Sequence, residues 1–196
     1  VYQPVNIKNE YKHILDANPD IIITCAYGQI IPETVLNYPK YGCINVHGSL
    51  LPKLRGGAPI HHAIINGFEY TGITIMYMDK LMDSGDIISQ ESIKILDEDN
   101  LDSLYEKMSH LGAKLLIETL PSIISKTNKR IKQQKEEVTF GYNITKEEEK
   151  ISFTKSSKDI HNLIRGLSSV PGAYCFLSDK RLKIYRSSQT NIKSKN

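Results

Sequence analysis

Apolar and polar positions change their spacing several times along the chain, and each change marks an element. Residues 20–26 (DIIITCA) form a continuous, β-branched apolar run, the pattern of a strand covered on both faces in a parallel sheet. Residues 43–47 (CINVH) and 72–78 (GITIMYM) predict two more buried strands, and 87–95 (IISQESIKI) alternates as a half-exposed edge strand does. Between them lie shorter helical patterns. Residues 9–17 (NEYKHILDA) form an amphipathic helix stopped by Asn18-Pro19, 32–36 a helix with proline in its first turn, and 58–65 a third helix. Strands alternating with helices predict an α/β domain with a Rossmann-like, mostly parallel sheet.

From Leu101 the period lengthens. Leu101, Leu104, Tyr105, Met108, Leu111, Leu115 and Leu116 define one face of a long helix over 101–124. Asp97, Glu98, Asp99 and Asp102 gather at its start, where the helix dipole favours negative charge, and Pro121 is expected to kink or end it. Residues 126–135 (KTNKRIKQQK) carry no apolar stripe and read as a basic linker. Beyond it, 160–167 predicts a helix, and 173–177 with 181–185 a hairpin around Ser178-Asp179-Lys180. These elements look too few to close a core. The expected organisation is an α/β domain over 1–125, a linker over 126–140, and the start of a β-rich domain over 141–196 with a polar tail at 191–196.

Composition narrows the class without naming it. Hydrophobic residues make up 40% and charged residues 24%, ordinary values for a globular chain with a real core. The net charge of +3 is too small to announce nucleic-acid binding, so the placement of the cations has to carry any such reading. Cys25, Cys43 and Cys175 lack metal-ligand spacing and read as buried free thiols in a reducing compartment. No apolar stretch approaches the roughly 20 residues of a membrane span. The opening Val1-Tyr2-Gln3-Pro4 resembles no leader, and the expectation is a piece that begins inside a longer protein.

Chemistry concentrates at the ends of the predicted strands. Asn45 and His47 are two apart on one strand, so they share a face, while Val46 points the other way into packing. An amide beside an imidazole can stabilise charge on a carbonyl oxygen and move a proton. Taken alone, the pair equally fits a polar couple satisfying backbone groups at a strand end. The loop Gly48-Ser49-Leu50-Leu51-Pro52 sets apolar side chains and backbone groups beside them, as a flat heterocycle needs. Lys53-Leu54-Arg55-Gly56-Gly57 continues it with two cations. Asp83 lies in a turn-rich loop, 79–86, where acidic residues are commonly turn formers. Its interest is its company: an amide, an imidazole and a carboxylate on strand-end loops of one sheet.

Four ordered blocks carry a resemblance: Asn45-Val46-His47-Gly48-Ser49-Leu50-Leu51-Pro52, Arg55-Gly56-Gly57-Ala58-Pro59-Ile60, Thr71-Gly72-Ile73-Thr74-Ile75-Met76 and Met82-Asp83-Ser84-Gly85-Asp86-Ile87-Ile88. Together they resemble the methionyl-tRNA formyltransferase family, with Tyr27 to Pro32 similar to its folate-side loop. Ile164-Arg165-Gly166-Leu167 and Pro171-Gly172-Ala173 resemble the opening of its OB-like C-terminal domain; Ser168-Ser169-Val170 departs from the family's Asn-Pro-aromatic run. The family also has a further βα portion before the first residue here and the remainder of a barrel after the last.

The resemblance implies a catalytic set of Asn45, His47 and Asp83, with Asp83 raising the histidine pKa. It implies 10-formyl-tetrahydrofolate as co-substrate, held by Ser49, Leu50, Leu51 and Pro52 with Gln29, Ile30 and Pro32, and no metal. The acceptor would be the α-amine of initiator methionyl-tRNA, with Arg55, Lys126, Lys129, Arg130 and Lys132, and also Lys135, as candidate phosphate contacts. A monomer of the cytoplasm or an organellar matrix is expected. Glycinamide ribonucleotide formyltransferase, sugar-nucleotide N-formyltransferases and the hydrolase domain of formyl-tetrahydrofolate dehydrogenase share the same core. A non-catalytic RNA-binding relative is the alternative from another class.

Overall fold

The computed structural model describes residues 1–190; the polar tail 191–196 lies outside the described residues. Strands β1 (Ile22–Cys25), β2 (Cys43–His47), β3 (Tyr70–Tyr77) and β4 (Ile87–Lys94) form one sheet in the order β1-β2-β3-β4. Helices α1 (Ile7–Glu10) and α2 (Lys12–Asp16) replace the single expected helix, with Tyr11 between them, and α3 (Glu33–Leu36) starts after the N-cap Pro32. Helix α4 (Pro59–Ile65) precedes β3, and the long α5 (Leu101–Ile124) follows β4.

The sheet is mixed. β1 and β2 are parallel, as the sequence pattern implies, but β2–β3 and β3–β4 are antiparallel. The connections account for this. Loop 78–86 contains no crossover element, and parallel strands need a connection of about a dozen residues or more. Between β2 and β3, helix α4 has seven residues and about 10 Å of rise, against about 27 Å for the eight-residue β3, so that connection is mostly loop.

Register assigns the two faces. Ile44, Val46, Ile73 and Ile75 pack into the main core beneath α5, together with Leu104, Met108 and Leu115. The other face carries Asn45 and His47 of β2. In the β3 register Met76 stands opposite Asn45 and Thr74 opposite His47, and in β1 Thr24 stands opposite Asn45. The expectation that β1 is covered on both faces does not hold. It is an edge among the described strands, Ile23 is 40% exposed, and Cys25 is exposed instead of buried. Cys43 and Cys175 are buried, and burial pushes the Cys43 thiol up to about 11, the behaviour of an inert core group.

Helix α5 begins with a capping box in which Asn100 and Ser103 exchange side-chain bonds, and it runs through Pro121 to Ile124. Proline therefore falls in the final turns and does not end the helix; Ser125 N–H still reaches the Pro121 carbonyl at 3.0 Å. Asp99 is buried just before the helix. Its carboxylate takes the Lys107 ammonium at 2.6 Å and the Leu96 N–H at 2.9 Å, while Arg165 donates to the Leu96 and Asp99 carbonyls at 2.9 Å each.

Arg165 belongs to α6 (Ser157–Gly166), which leads into the hairpin β5 (Ala173–Leu177) and β6 (Lys180–Ile184). A small core does close here, contrary to the count of elements. Ile151, Ile164, Leu167, Ala173 and Cys175 pack together because Ile65 of α4 lends one wall.

The basic segment after α5 is no free tether. Ile131 and Ile87 exchange N–H···O bonds of 2.9 and 2.8 Å, adding a bridge to β4. Farther along, Arg55 N–H donates to the Thr139 carbonyl and Gly141 N–H to the Arg55 carbonyl, at 2.9 and 2.8 Å. Residues 131–141 thus form a strap across the loops at the rim of the sheet.

Leu104 is fully buried between α5 and the sheet. Leu104→Ala in the complete protein is expected to lower stability by about 2–5 kcal/mol, read as a fall in the urea midpoint by circular dichroism. A loss under about 1 kcal/mol would contradict the packing of α5 described above.

Candidate active site

Three side chains converge where β2 ends. The His47 ring is 5% exposed, and its Nε2 lies 3.1 Å from the Leu54 carbonyl oxygen. A carbonyl only accepts, so Nε2 carries the proton and the neutral ring leaves Nδ1 bare. Nδ1 faces Asp83, whose Oδ2 is 3.7 Å away. Asn45 Nδ2 makes a long contact of 3.5 Å with the other carboxylate oxygen.

Each member is held from outside the trio. Thr24 Oγ donates to Asn45 Oδ1 at 2.8 Å, which orients the amide so that its NH2 turns toward Asp83. The carboxylate of Asp83 accepts the Gly56 N–H at 2.8 Å. Gly56 has φ +125°, and a Cβ there would lie 2.7 Å from the Gly141 carbonyl oxygen, so only glycine lets this loop approach the strap. At Gly85 a Cβ would overlap the Tyr77 carbonyl, which fixes the other end of the Asp83 loop. The nearby Arg55 guanidinium donates through Nε and Nη2 to Gln133 Oε1 at 3.0 and 2.7 Å.

Burial decides the charge of His47. It lowers the imidazole pKa below its ordinary 6.5, against the upward pull of the Asp83 carboxylate and the bond to Leu54, with Arg55 adding a smaller downward push. The expected rise from Asp83 is present but overcome. At neutral pH the resting ring is a neutral base, not an imidazolium.

The residues expected around a flat ligand are more scattered. The Ser49 hydroxyl donates to the Lys53 carbonyl at 2.6 Å, and Leu51 N–H donates to Thr74 Oγ at 3.1 Å. Thr74 donates in turn to the Ser49 carbonyl at 2.6 Å, and Gln90 Nε2 reaches the Leu51 carbonyl at 2.9 Å. The loop is rigid by construction. A cavity of about 430 Å³ runs along Ser49, Leu50, Leu51 and Pro52 toward Phe68 and Thr71, and neither the trio nor residues 29–32 line it.

Gln29 is occupied by the Ile7 N–H, which donates to its Oε1 at 2.9 Å. Ile30 is exposed, whereas Ile31 packs with Ile7, Val35 and Met78. Because Thr24 Oγ also lies 3.2 Å from Met78 Sδ, this loop reaches Asn45 through Met78 and Thr24.

Among the cations, Arg55 is bound to Gln133. Arg130 pairs with Asp86 at 3.0 Å and covers the Tyr77 ring at 4.2 Å. Lys126, Lys129, Lys132 and Lys135 are exposed. Thr24 and Gln133 escaped the sequence reading, which named Gly56 only as part of the Arg55 loop. Strand alternation and parallel register could have placed Thr24 beside Asn45; nothing in the sequence pattern marks Gln133.

The formyl transferase family model matches residues 4–120, and the model of the formyl transferase C-terminal domain matches 143–196. The chain belongs to the formyl transferase family. Methionyl-tRNA formyltransferase from Staphylococcus epidermidis is 54% identical over 187 residues, covering 94% of this chain and 60% of that protein. The chain thus spans about 60% of the length of the curated relatives it matches. Among solved structures, a 4-N formyltransferase from Francisella tularensis is 25% identical with a TM-score of 0.80, covering 96% of this chain and 78% of that one. HypX from Aquifex aeolicus, in complex with tetrahydrofolic acid, shares the fold at a TM-score of 0.77 and 19% identity, over 90% of this chain and 31% of that one.

Thr24→Val removes the donor that orients Asn45 while keeping the shape of the side chain. Turnover of the complete protein is expected to fall by about 10–100-fold, with a stability loss of only about 1 kcal/mol. Stopped-flow turnover beside thermal melting checks this. A large loss of stability with unchanged turnover would refute the assignment.

Proposed function

We propose that the complete protein transfers the formyl group of 10-formyl-tetrahydrofolate to the α-amine of initiator methionyl-tRNA. The chemistry is supported above all by the bare Nδ1 of a neutral His47 facing the Asp83 carboxylate, with the Asn45 NH2 beside both. The acceptor is supported by the 54% identity to a protein named for it.

An amine attacks only when neutral. Asp83 attracts the incoming ammonium, and His47 Nδ1 is positioned to accept a proton from it. The resulting imidazolium sits against Asp83, where the attraction is about 4 kcal/mol at an effective dielectric near 20. That compensates for charging a buried ring at the moment charge is needed. As the amine bonds to the formyl carbon, the carbonyl oxygen becomes an oxyanion, and the Asn45 NH2 and the His47 Nδ1–H are the donors within reach.

Protons balance across the transfer. The ammonium gives up two, one of which goes to the departing folate nitrogen while the other leaves to solvent. The gaps of 3.5 and 3.7 Å among the three groups leave room for the site to tighten around its reactants.

The rigid 49–52 loop and the apolar side of the 29–32 loop are the surfaces assigned to the folate. Gln29, already engaged with Ile7, serves by shaping its loop. Lys126, Lys129, Lys132 and Lys135 are the exposed cations assigned to the RNA backbone, while Arg55 and Arg130 act within the protein.

Supplied with 10-formyl-tetrahydrofolate, the complete protein should formylate charged initiator tRNA and leave glycinamide ribonucleotide and sugar amines unreacted. Asn45→Ala, removing one oxyanion donor, and Asp83→Ala should each cut turnover by about 100–1000-fold while the protein stays folded. Preference for a sugar amine, or near-normal turnover by either variant, defeats the reading.

A further inference from the structure

The amide of Gln133 is fully used. Its Nε2 donates to the carbonyls of Asp83 and Gly85, both at 2.8 Å. Its Oε1 accepts Nε and Nη2 of Arg55 at 3.0 and 2.7 Å. Two donors and two lone pairs are all that an amide offers. This one side chain, carried by the strap after α5, therefore ties the Asp83 loop to the Arg55 loop.

Both loops supply the site. The Arg55 loop includes Gly56, whose N–H holds the Asp83 carboxylate, and Leu54, whose carbonyl accepts the hydrogen bond from His47 Nε2. Asp83 itself has φ +50°, in the left-handed region that residues with a side chain enter at a steric cost. Such a backbone persists when its surroundings over-determine it. Gln133 grips the carbonyl of Asp83 and that of Gly85 two residues on, so the direction of the Asp83 carboxylate depends on an amide fifty positions away in sequence.

We infer that Gln133 is a positioning residue for Asp83, and that the strap is thereby part of the catalytic unit, not a tether between domains. The inference rests on the catalytic assignment of Asp83 made above. Misplacement of a reacting group by about 1 Å can cost about a hundredfold in rate, and the Asp83 contacts to His47 and Asn45 already stand at 3.7 and 3.5 Å. Loss of the grip should therefore appear in turnover more than in donor binding.

The test compares Gln133→Met with Gln134→Met in the complete protein; the second makes the same exchange at an exposed neighbouring position. Gln133→Met is expected to lower kcat by about 10–100-fold with the KM for formyl-tetrahydrofolate within about threefold, and Gln134→Met to change neither. The His47 titration, followed by NMR, gives a readout that needs no turnover. Gln133→Met frees the Asp83 loop and also takes the acceptor from Arg55, so both charges facing the ring move and the His47 midpoint departs from that of the unsubstituted protein.

Should Gln133→Met fail to fold, Gln133→Glu keeps an acceptor for Arg55, loses both donations, and should show the same fall in kcat. Unchanged kcat and an unchanged His47 titration, or a defect in KM alone, would overturn the inference. An unsubstituted protein inactive toward every acceptor would instead overturn the proposed function, and the His47 titration would still decide the role of Gln133.

Discussion

A buried imidazole that donates its only N–H to a backbone carbonyl sets the terms for the rest of the site. The bond from His47 Nε2 to the Leu54 carbonyl fixes the tautomer, and burial keeps the ring neutral despite the nearby carboxylate. Taking a charged group out of water costs several kcal/mol, which Asp83 at 3.7 Å does not fully offset. In the proposed transfer the ring would thus be a base at rest and an acid once loaded, the two states that transfer of an acyl group to an amine requires in turn.

That balance makes the position of Asp83 critical, and distant parts of the chain converge on it. Gly56 holds the carboxylate, Gln133 holds the backbone, and the strap is fastened at Ile131 to the start of β4 and at Thr139 to the Arg55 loop. On the other flank Thr24 turns the Asn45 amide, and Met78 links that contact to the buried Ile31. The helix α5 and the apolar face of the sheet do none of this chemistry. They keep β2 rigid, so that tenths of an ångström at its end have meaning.

The parts legible in the sequence were those written in local periodicity. The β2 run 43–47, the long helical stripe from Leu101 and the alternation of β4 all coincide with their elements. Asn45 and His47 were readable as a pair for the same reason, because strand alternation places them on one face. Periodicity does not encode strand direction, so the antiparallel pairing of β3 escaped it, as did the exposure of Cys25 on an edge strand. The strap was illegible for a deeper reason. Backbone bonds at Ile131, Thr139 and Gly141 and one glutamine amide hold it, and none of these leaves an apolar signature. The histidine pKa went the other way from expectation because a neighbouring carboxylate can be guessed from motifs, whereas depth of burial cannot.

The chemistry turns on the resting state of one ring, which nitrogen-15 NMR of His47 at pH 7 in the complete protein reads out. Nε2 is expected to be protonated and Nδ1 unprotonated. Signals from two protonated nitrogens at that pH would make His47 an imidazolium before any substrate arrives and would refute a neutral resting base.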